Sequence, residues 1–239
     1  MKENELHIMA IGAHAGDMEL TAGGIMAKYA REGGRITFVH LTPGEKGHPK
    51  LSSQQYAEQK IKEGEQVAKI LNAEVRFLPY KDAELPVSEE VKYAICDIIR
   101  ELKPDIILTH WRGSIHKDHT STYYNVIDGI FYAELPAIKR KFPAHYIRGL
   151  YFPENWEDPQ DYDPTLYLDI TKGYQTWVEA ISQYAFARGE VSGFPYIEYY
   201  KSLAVVRGAE SGFKYAEAFM IPETARKRRL QFFPLEDTG

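Results

Sequence analysis

Two short stretches of this chain hold the residue types that do acid–base or metal chemistry. The first, IMAIGAHAGDMELTAGG at residues 8–24, sets His14, Asp17 and Glu19 just past an apolar run. The second, HWRGSIHKDHTS at 110–121, carries three of the chain's eight histidines, His110, His116 and His119. His116 and His119 are three apart, which places them on one side of a helical turn or spreads them around a loop. Two imidazoles and a carboxylate leave a coordination position open, as catalytic zinc sites do, whereas structural zinc sites are closed by four protein ligands, usually with cysteine. Cys96 is the only cysteine, which excludes a thiolate-rich site. Asp17 has a second reading, as the cap of the helix that follows it.

The elements around these residues decide whether they meet. Ile8 to Ile11 form an apolar run suited to a strand buried on both faces, and Gly12 and Gly16 permit a sharp turn beyond it. From Met18 the apolar residues recur at helical spacing until the glycine pair at 33–34. Further strands are expected at 35–41, 74–78, 105–110, 149–152, 166–170 and 215–221, with helices at 54–71, from Ser88 to the Lys-Pro pair at 103–104, and at 125–141, 172–188 and 196–206. Strands that alternate with helices predict one α/β domain over 1–239, Rossmann-like, a three-layer sandwich about a mostly parallel sheet. In the doubly wound order the first and fourth strands are neighbours where the winding reverses. His14, Asp17, His116 and His119 then converge at the carboxyl edge. A glycine-rich nucleotide turn fits poorly, because His14 and Asp17 stand where that fingerprint places glycine.

Composition narrows the function classes. With 239 residues and 44% hydrophobic content the chain can bury a sizeable core. A net charge of -5 with both signs interspersed argues against nucleic acid as a partner. The basic run at 226–229 reads as a solvated tail. No apolar stretch is long enough to suggest export or membrane insertion, and a lone cysteine suits a cytoplasmic protein.

At AHAGDME (13–19) and HKDH (116–119) the sequence resembles the LmbE-like, or PIG-L-type, zinc-dependent N-deacetylases, whose motifs are AHPDD-x-E and HPDH. The likeness continues through LTPGEKG (41–47), AKILNAEVRFLPYKDAEL (68–85), ISQY (181–184) and VRGAESGFKYAEAF (206–219). It implies hydrolysis of an N-acetyl group on a GlcNAc-containing or similar small amide, with a zinc ion, or another divalent metal such as Fe2+, held by His14, Asp17 and His119. It implies that the metal polarises the carbonyl and activates water, that His116 protonates the leaving amine or stabilises the oxyanion, and that Asp118 positions His116. Homo-oligomers are implied as well.

One departure bears on the chemistry. The family's general base is the first aspartate of its PDD triplet, and here that position is Gly16. Glu45, Glu19 and Asp118 are the candidate replacements, and a protein that binds an acetylated sugar without turnover is the alternative function. Lys60 stands where the family often carries arginine, so Lys60 is expected to touch substrate without arginine's bidentate fork. Glu45 is expected beside the substrate too. Trp111, Trp156 and Tyr162 offer rings on which a sugar could stack.

Overall fold

The computed structural model describes residues 6–223, so the basic run at 226–229 lies outside the described residues. Seven strands, β1 (His7–His14), β2 (Arg35–Thr42), β3 (Glu74–Phe77), β4 (Ile106–Thr109), β5 (Gly149–Pro153), β6 (Leu166–Asp169) and β7 (Ala216–Met220), form one sheet in the order β3-β2-β1-β4-β5-β7-β6. The first five are parallel, and β7 runs antiparallel between β5 and β6. Sheet and helices make the expected α/β fold. The winding reverses between β1 and β4, where Ile8 pairs with Ile106 and Ile11 with Thr109. That reversal opens the crevice above the carboxyl ends of β1 and β4.

Side-chain alternation along the strands builds two cores. Ile8, Ala10, Phe38 and Leu108 face one side, under α1 (Asp17–Arg31), α2 (Ser53–Leu71), α5 (Tyr174–Ile181) and α6 (Tyr196–Ser211). Met9, Ile11, Val39 and Ile107 face the other, under α3 (Glu89–Leu102) and α4 (Lys117–Glu134), with Cys96 buried among them. Gly23 lets α1 close on α5, since a Cβ there would stand 2.5 Å from the Trp177 ring, whose Nε1 donates to the Glu19 carbonyl at 2.8 Å.

α6 runs to Ser211, five residues past its sequence-based end at 206, and two helices depart further from their expected bounds. α4 starts at Lys117 rather than near 125, because His116 serves as its cap and draws the whole HKDH motif to the helix N-terminus. α5 ends at Ile181 rather than 188: the Arg188 guanidinium takes the carbonyls of Ser182 and Gln183, which a continuing helix would use itself.

His7, at the start of β1, makes stability depend on pH. Its buried ring lies 3.1 Å from the Leu102 carbonyl at Nδ1 and 2.9 Å from the Thr37 hydroxyl at Nε2, so neutral imidazole donates to the first and accepts from the second. Burial, helped by the nearby Arg35 charge, pushes its pKa down from 6.5 to about 4. The unfolded chain therefore takes up this proton first, and stability present above pH ~6.5 is lost as pH falls toward 4. At most about 3 kcal/mol is at stake. Melting temperature measured from pH 7 to 4 should fall more steeply for the parent than for His7→Gln.

Candidate active site

Loops after β1, β2, β3, β4 and β5 at the carboxyl edge of the sheet, with the segment between α5 and α6, enclose a cavity of about 170 Å³, whose lining includes His14, Asp17, Lys60, Asp82, His116, His119 and Glu157. β1 delivers His14 as its last residue. Gly16, at φ 105, then turns the chain into α1 and leaves Asp17 as the first helical residue. Asp17 does not cap the helix. Its carboxylate turns back to accept the His14 backbone N–H at 2.8 Å, while Glu19 reaches back to the Gly16 N–H at 3.1 Å.

Asp17 Oδ2 is the hub of the site. It lies 3.2 Å from His14 Nδ1, 3.1 Å from His110 Nε2 and 3.4 Å from His119 Nε2. Burial by itself would raise the Asp17 carboxyl, but the imidazoles of His14 and His119 with the contact to His110 hold it well below the usual carboxylate range. Asp158, from the loop after β5, binds His110 Nδ1 at 3.1 Å through one oxygen and His119 Nδ1 at 3.0 Å through the other. A carboxylate on Nδ1 fixes the proton there and leaves the His119 Nε2 lone pair directed at Asp17. Burial and the neighbouring His110 push His119 down to about 4, which keeps its ring neutral. His110, between two carboxylates, overcomes its burial and is pushed up to about 9.

The donors suit a divalent ion. His14, His116 and His119 offer ring nitrogens that lie within 4.8 Å of one another, and so do the donor atoms of Asp17, His110 and His119. Among the described residues His14 Nε2 is buried with no hydrogen-bond partner, although Asp82 Oδ1 lies 3.2 Å away. Imidazole with carboxylate fits zinc or ferrous iron better than calcium or magnesium, which take oxygen ligands.

His116 projects from the N-cap of α4. Its Nδ1 accepts the Asp118 backbone N–H at 3.2 Å, which places the ring proton on Nε2. Burial and the charge of His14 lower its pKa, so the ring is a neutral donor at pH 7. The expectation that the Asp118 carboxylate orients His116 is not met: that carboxylate accepts the Ala83 N–H at 2.6 Å and lies 3.6 Å from His14 Nε2. Of Asp118, it is the backbone N–H and not the carboxylate that bonds the His116 ring.

Of the substrate-contact residues expected from sequence, Lys60 lines the cavity and the other two do not. Glu45 is turned away to accept the Asp82 N–H at 3.1 Å, and it lines a separate hollow with Gln54 and Tyr80. Trp111 is buried, donates to the Gln160 carbonyl at 2.9 Å, and lines a groove with Arg112, Phe131 and Phe152. The other two aromatics also pack locally: Trp156 stacks on Phe194 at 4.3 Å, and the Tyr162 hydroxyl donates to the Phe152 carbonyl at 2.9 Å. Glu19 is likewise spent, on Tyr184 at 2.7 Å and His40 at 3.1 Å beneath the Gly16 turn.

Phe186 accounts for the glycine at position 16. A Cβ on Gly16 would stand 2.5 Å from the Phe186 ring, so the ring fills the space into which an aspartate would project. Sequence reasoning passed over Asp82, Glu157 and Asp158, all carboxylates at the carboxyl ends of strands. Asp82 is pulled down to about 2, its burial outweighed by His14. Glu157 moves the other way, to about 7, because burial and the charges of Asp17 and Asp158 oppose its ionisation. Position just past β3 and β5 was the signal available in the sequence.

Comparison with known proteins gives the same picture of the fold and of the family. Residues 9–130 match the family described as PIG-L: GlcNAc-PI de-N-acetylase. The diacetylchitobiose deacetylase of Thermococcus kodakarensis is 25% identical over 189 residues, covering 73% of this chain and 67% of that one. The 4-oxalmesaconate hydratase of Pseudomonas putida is 26% identical over 185 residues, covering 72% and 70%. Among solved structures, the 4-carboxy-2-hydroxymuconate hydratase of Pseudomonas putida superposes with a TM-score of 0.85 at 21% identity, over 96% of this chain and 100% of that one, which is a likeness of fold. The family match takes in just over half of the 239 residues, including the loop of His14 and Asp17 and the helix start of His116 and His119, and the chain belongs to the PIG-L family.

Proposed function

We propose that the chain is a metal-dependent hydrolase that removes the acetyl group from an N-acetylated sugar or a similar small amide. The observation that carries this is the approach of His14 and His119 to Asp17 Oδ2, at 3.2 and 3.4 Å, with Asp158 fixing the tautomer of His119. A divalent metal, zinc by preference, held by those three residues would polarise the amide carbonyl and activate a water. The His116 Nε2–H donates to the carbonyl oxygen as negative charge builds on it, a role that suits a neutral imidazole better than full proton transfer does. Glu157 accepts the proton of the attacking water and returns it to the departing nitrogen. Its pKa near 7 suits both transfers, and among the described residues no hydrogen bond occupies its carboxylate oxygens.

The phenyl ring at the position of the usual base favours a second reading, a metal-holding protein that binds an acetylated sugar and leaves it intact. Acetate release from a panel of N-acetylated sugars, zinc-loaded against metal-stripped, separates the two. The panel includes 4-oxalmesaconate, followed by absorbance, because one relative is a hydratase of that compound. Metal-dependent acetate release is expected. Silence on every amide with saturable sugar binding would favour the second reading, and turnover of the unsaturated acid alone would move the chemistry to water addition.

A further inference from the structure

α4 carries two apolar faces. Val126 and Ala133 turn toward α3 and the sheet, with Gly129 between them so close to α3 that a Cβ there would stand 2.7 Å from Ile95. Tyr123, Ile127 and Phe131 recur at helical spacing and form a second stripe. That stripe is one wall of a groove of about 380 Å³, which Trp111, Leu150 and Phe152 also line. The floor belongs to a core cluster with three buried side chains, Trp111, Phe152 and Met220. Phe131 is 58% exposed, and Tyr124 on the flank of the groove 47%. Apolar surface gathered in this way gains free energy by being covered.

The chain itself leads to this groove. β7 sets Met220 in the cluster, Pro222 and Glu223 line the groove, and residues 224–239 come next. Their sequence, TARKRRLQFFPLEDTG, holds the basic run at 226–229 and then Leu230, Phe232, Phe233 and Leu235. Phe232 follows Glu223 by nine residues, a reach of up to about 30 Å, whereas the eight helical residues from Tyr123 to Phe131 span about 12 Å. The charges also match. Arg112 on the rim is paired with Glu223 at 3.4 Å, while Glu134 has no ion pair among the described residues and is opposite in sign to the run.

We propose that this groove is the seat of the chain's own segment 230–235, with the basic run lying past Glu134. The proposal is independent of the chemistry assigned above. Attachment at the groove's edge gives the segment an effective concentration on the order of mM, so a weak intrinsic affinity suffices to hold it. Trp111 and Arg112 open the loop that runs on to His116, so the seated segment braces the start of that loop.

Disulfide trapping in the full chain tests the seat. Gln231→Cys is combined with Tyr124→Cys or Glu134→Cys, at the two ends of the groove, or with Val206→Cys on exposed α6 as the reference. Cys96 is buried and stays in place, and the single variants are the controls. At low protein concentration in a glutathione buffer, at least one groove pair should close within the monomer about tenfold faster than the reference pair. Equal rates at all three positions would overturn the proposal. So would disulfide-linked dimers that outpace closure within the monomer, because a second copy would then fill the groove. Hydrogen exchange gives an independent reading. Phe232→Ser/Phe233→Ser should speed exchange of the α4 amides about tenfold, and Phe131→Asp should reproduce the effect without adding to it in the triple variant. Unchanged exchange in Phe232→Ser/Phe233→Ser, or full additivity with Phe131→Asp, would also sink the proposal.

Discussion

Asp17→Asn is expected to remove both the bound metal and the activity. Asp17 Oδ2 lies close to His14, His110 and His119 together, and an amide in its place offers no negative charge to an ion and turns a donor toward one or more of the imidazoles. Loss of groups that merely orient ligands costs about 10 to 100-fold in metal affinity, so loss of a ligand should exceed about 100-fold. Asp158→Asn supplies the comparison, with an effect inside that lower range, because Asp158 touches the Nδ1 atoms of His110 and His119 and faces away from the hub. Asp17→Asn should also lower the melting temperature of metal-free protein. With the carboxylate gone, the protonated His14 and His110 lose a buried counter-charge, a change that typically costs about 3 to 5 kcal/mol. Metal content by atomic absorption, zinc affinity by competition with a chelator dye, and calorimetry of the stripped protein read the three effects. Full metal loading in Asp17→Asn would remove Asp17 from the ligand set.

Glu157→Gln carries the second large effect, on kcat alone. Glutamine has nearly the same shape and cannot take a proton, so the side chain still fills its place while the transfer fails. The backbone around it is tied down independently: the Glu157 carbonyl accepts the Ile115 N–H and the Ser114 hydroxyl, and its N–H goes to the Asn155 side chain. The variant should therefore fold normally. A fall in kcat of about 100 to 10,000-fold is expected, with KM and zinc affinity near those of the parent. A parallel loss of zinc affinity would make Glu157 a ligand, since its Oε2 is already 3.9 Å from His119 Nε2. No change in kcat would return the problem of the base to Asp82.

The strand, turn and helix that carry His14 and Asp17 were legible in the sequence because each has a local cause. An apolar run too short for a helix, glycine at the turn, and apolar residues at helical spacing all lie within one stretch of β1 and α1. The neighbourhood of β1 and β4 followed from winding rules that depend on element order alone. Asp158 and Glu157 were not legible in that way. Their places depend on the loop between β5 and β6, which is anchored by contacts distant in sequence, such as the Tyr200 hydroxyl on Asn155 at 3.1 Å. ENWEDPQDYDP reads as a solvated acidic loop until those contacts are known. Phe186 was hidden for the same reason, because its ring reaches Gly16 from the turns after α5, at 170 residues' remove. Trp111 shows the converse error: a ring adjacent in sequence to the histidine motif belongs to a different wall once β4 ends.

The cavity is shared unevenly between the two halves of the chain. His14, Asp17, His116 and His119 fall inside the stretch common to the PIG-L family, whereas Glu157, Asp158, Phe186 and Tyr196 come after residue 130. The residues proposed to hold the ion lie in the first half, and the carboxylate proposed to move the proton beside it comes from the second. Exchanging the segment after β5 between relatives should then change turnover far more than it changes metal affinity.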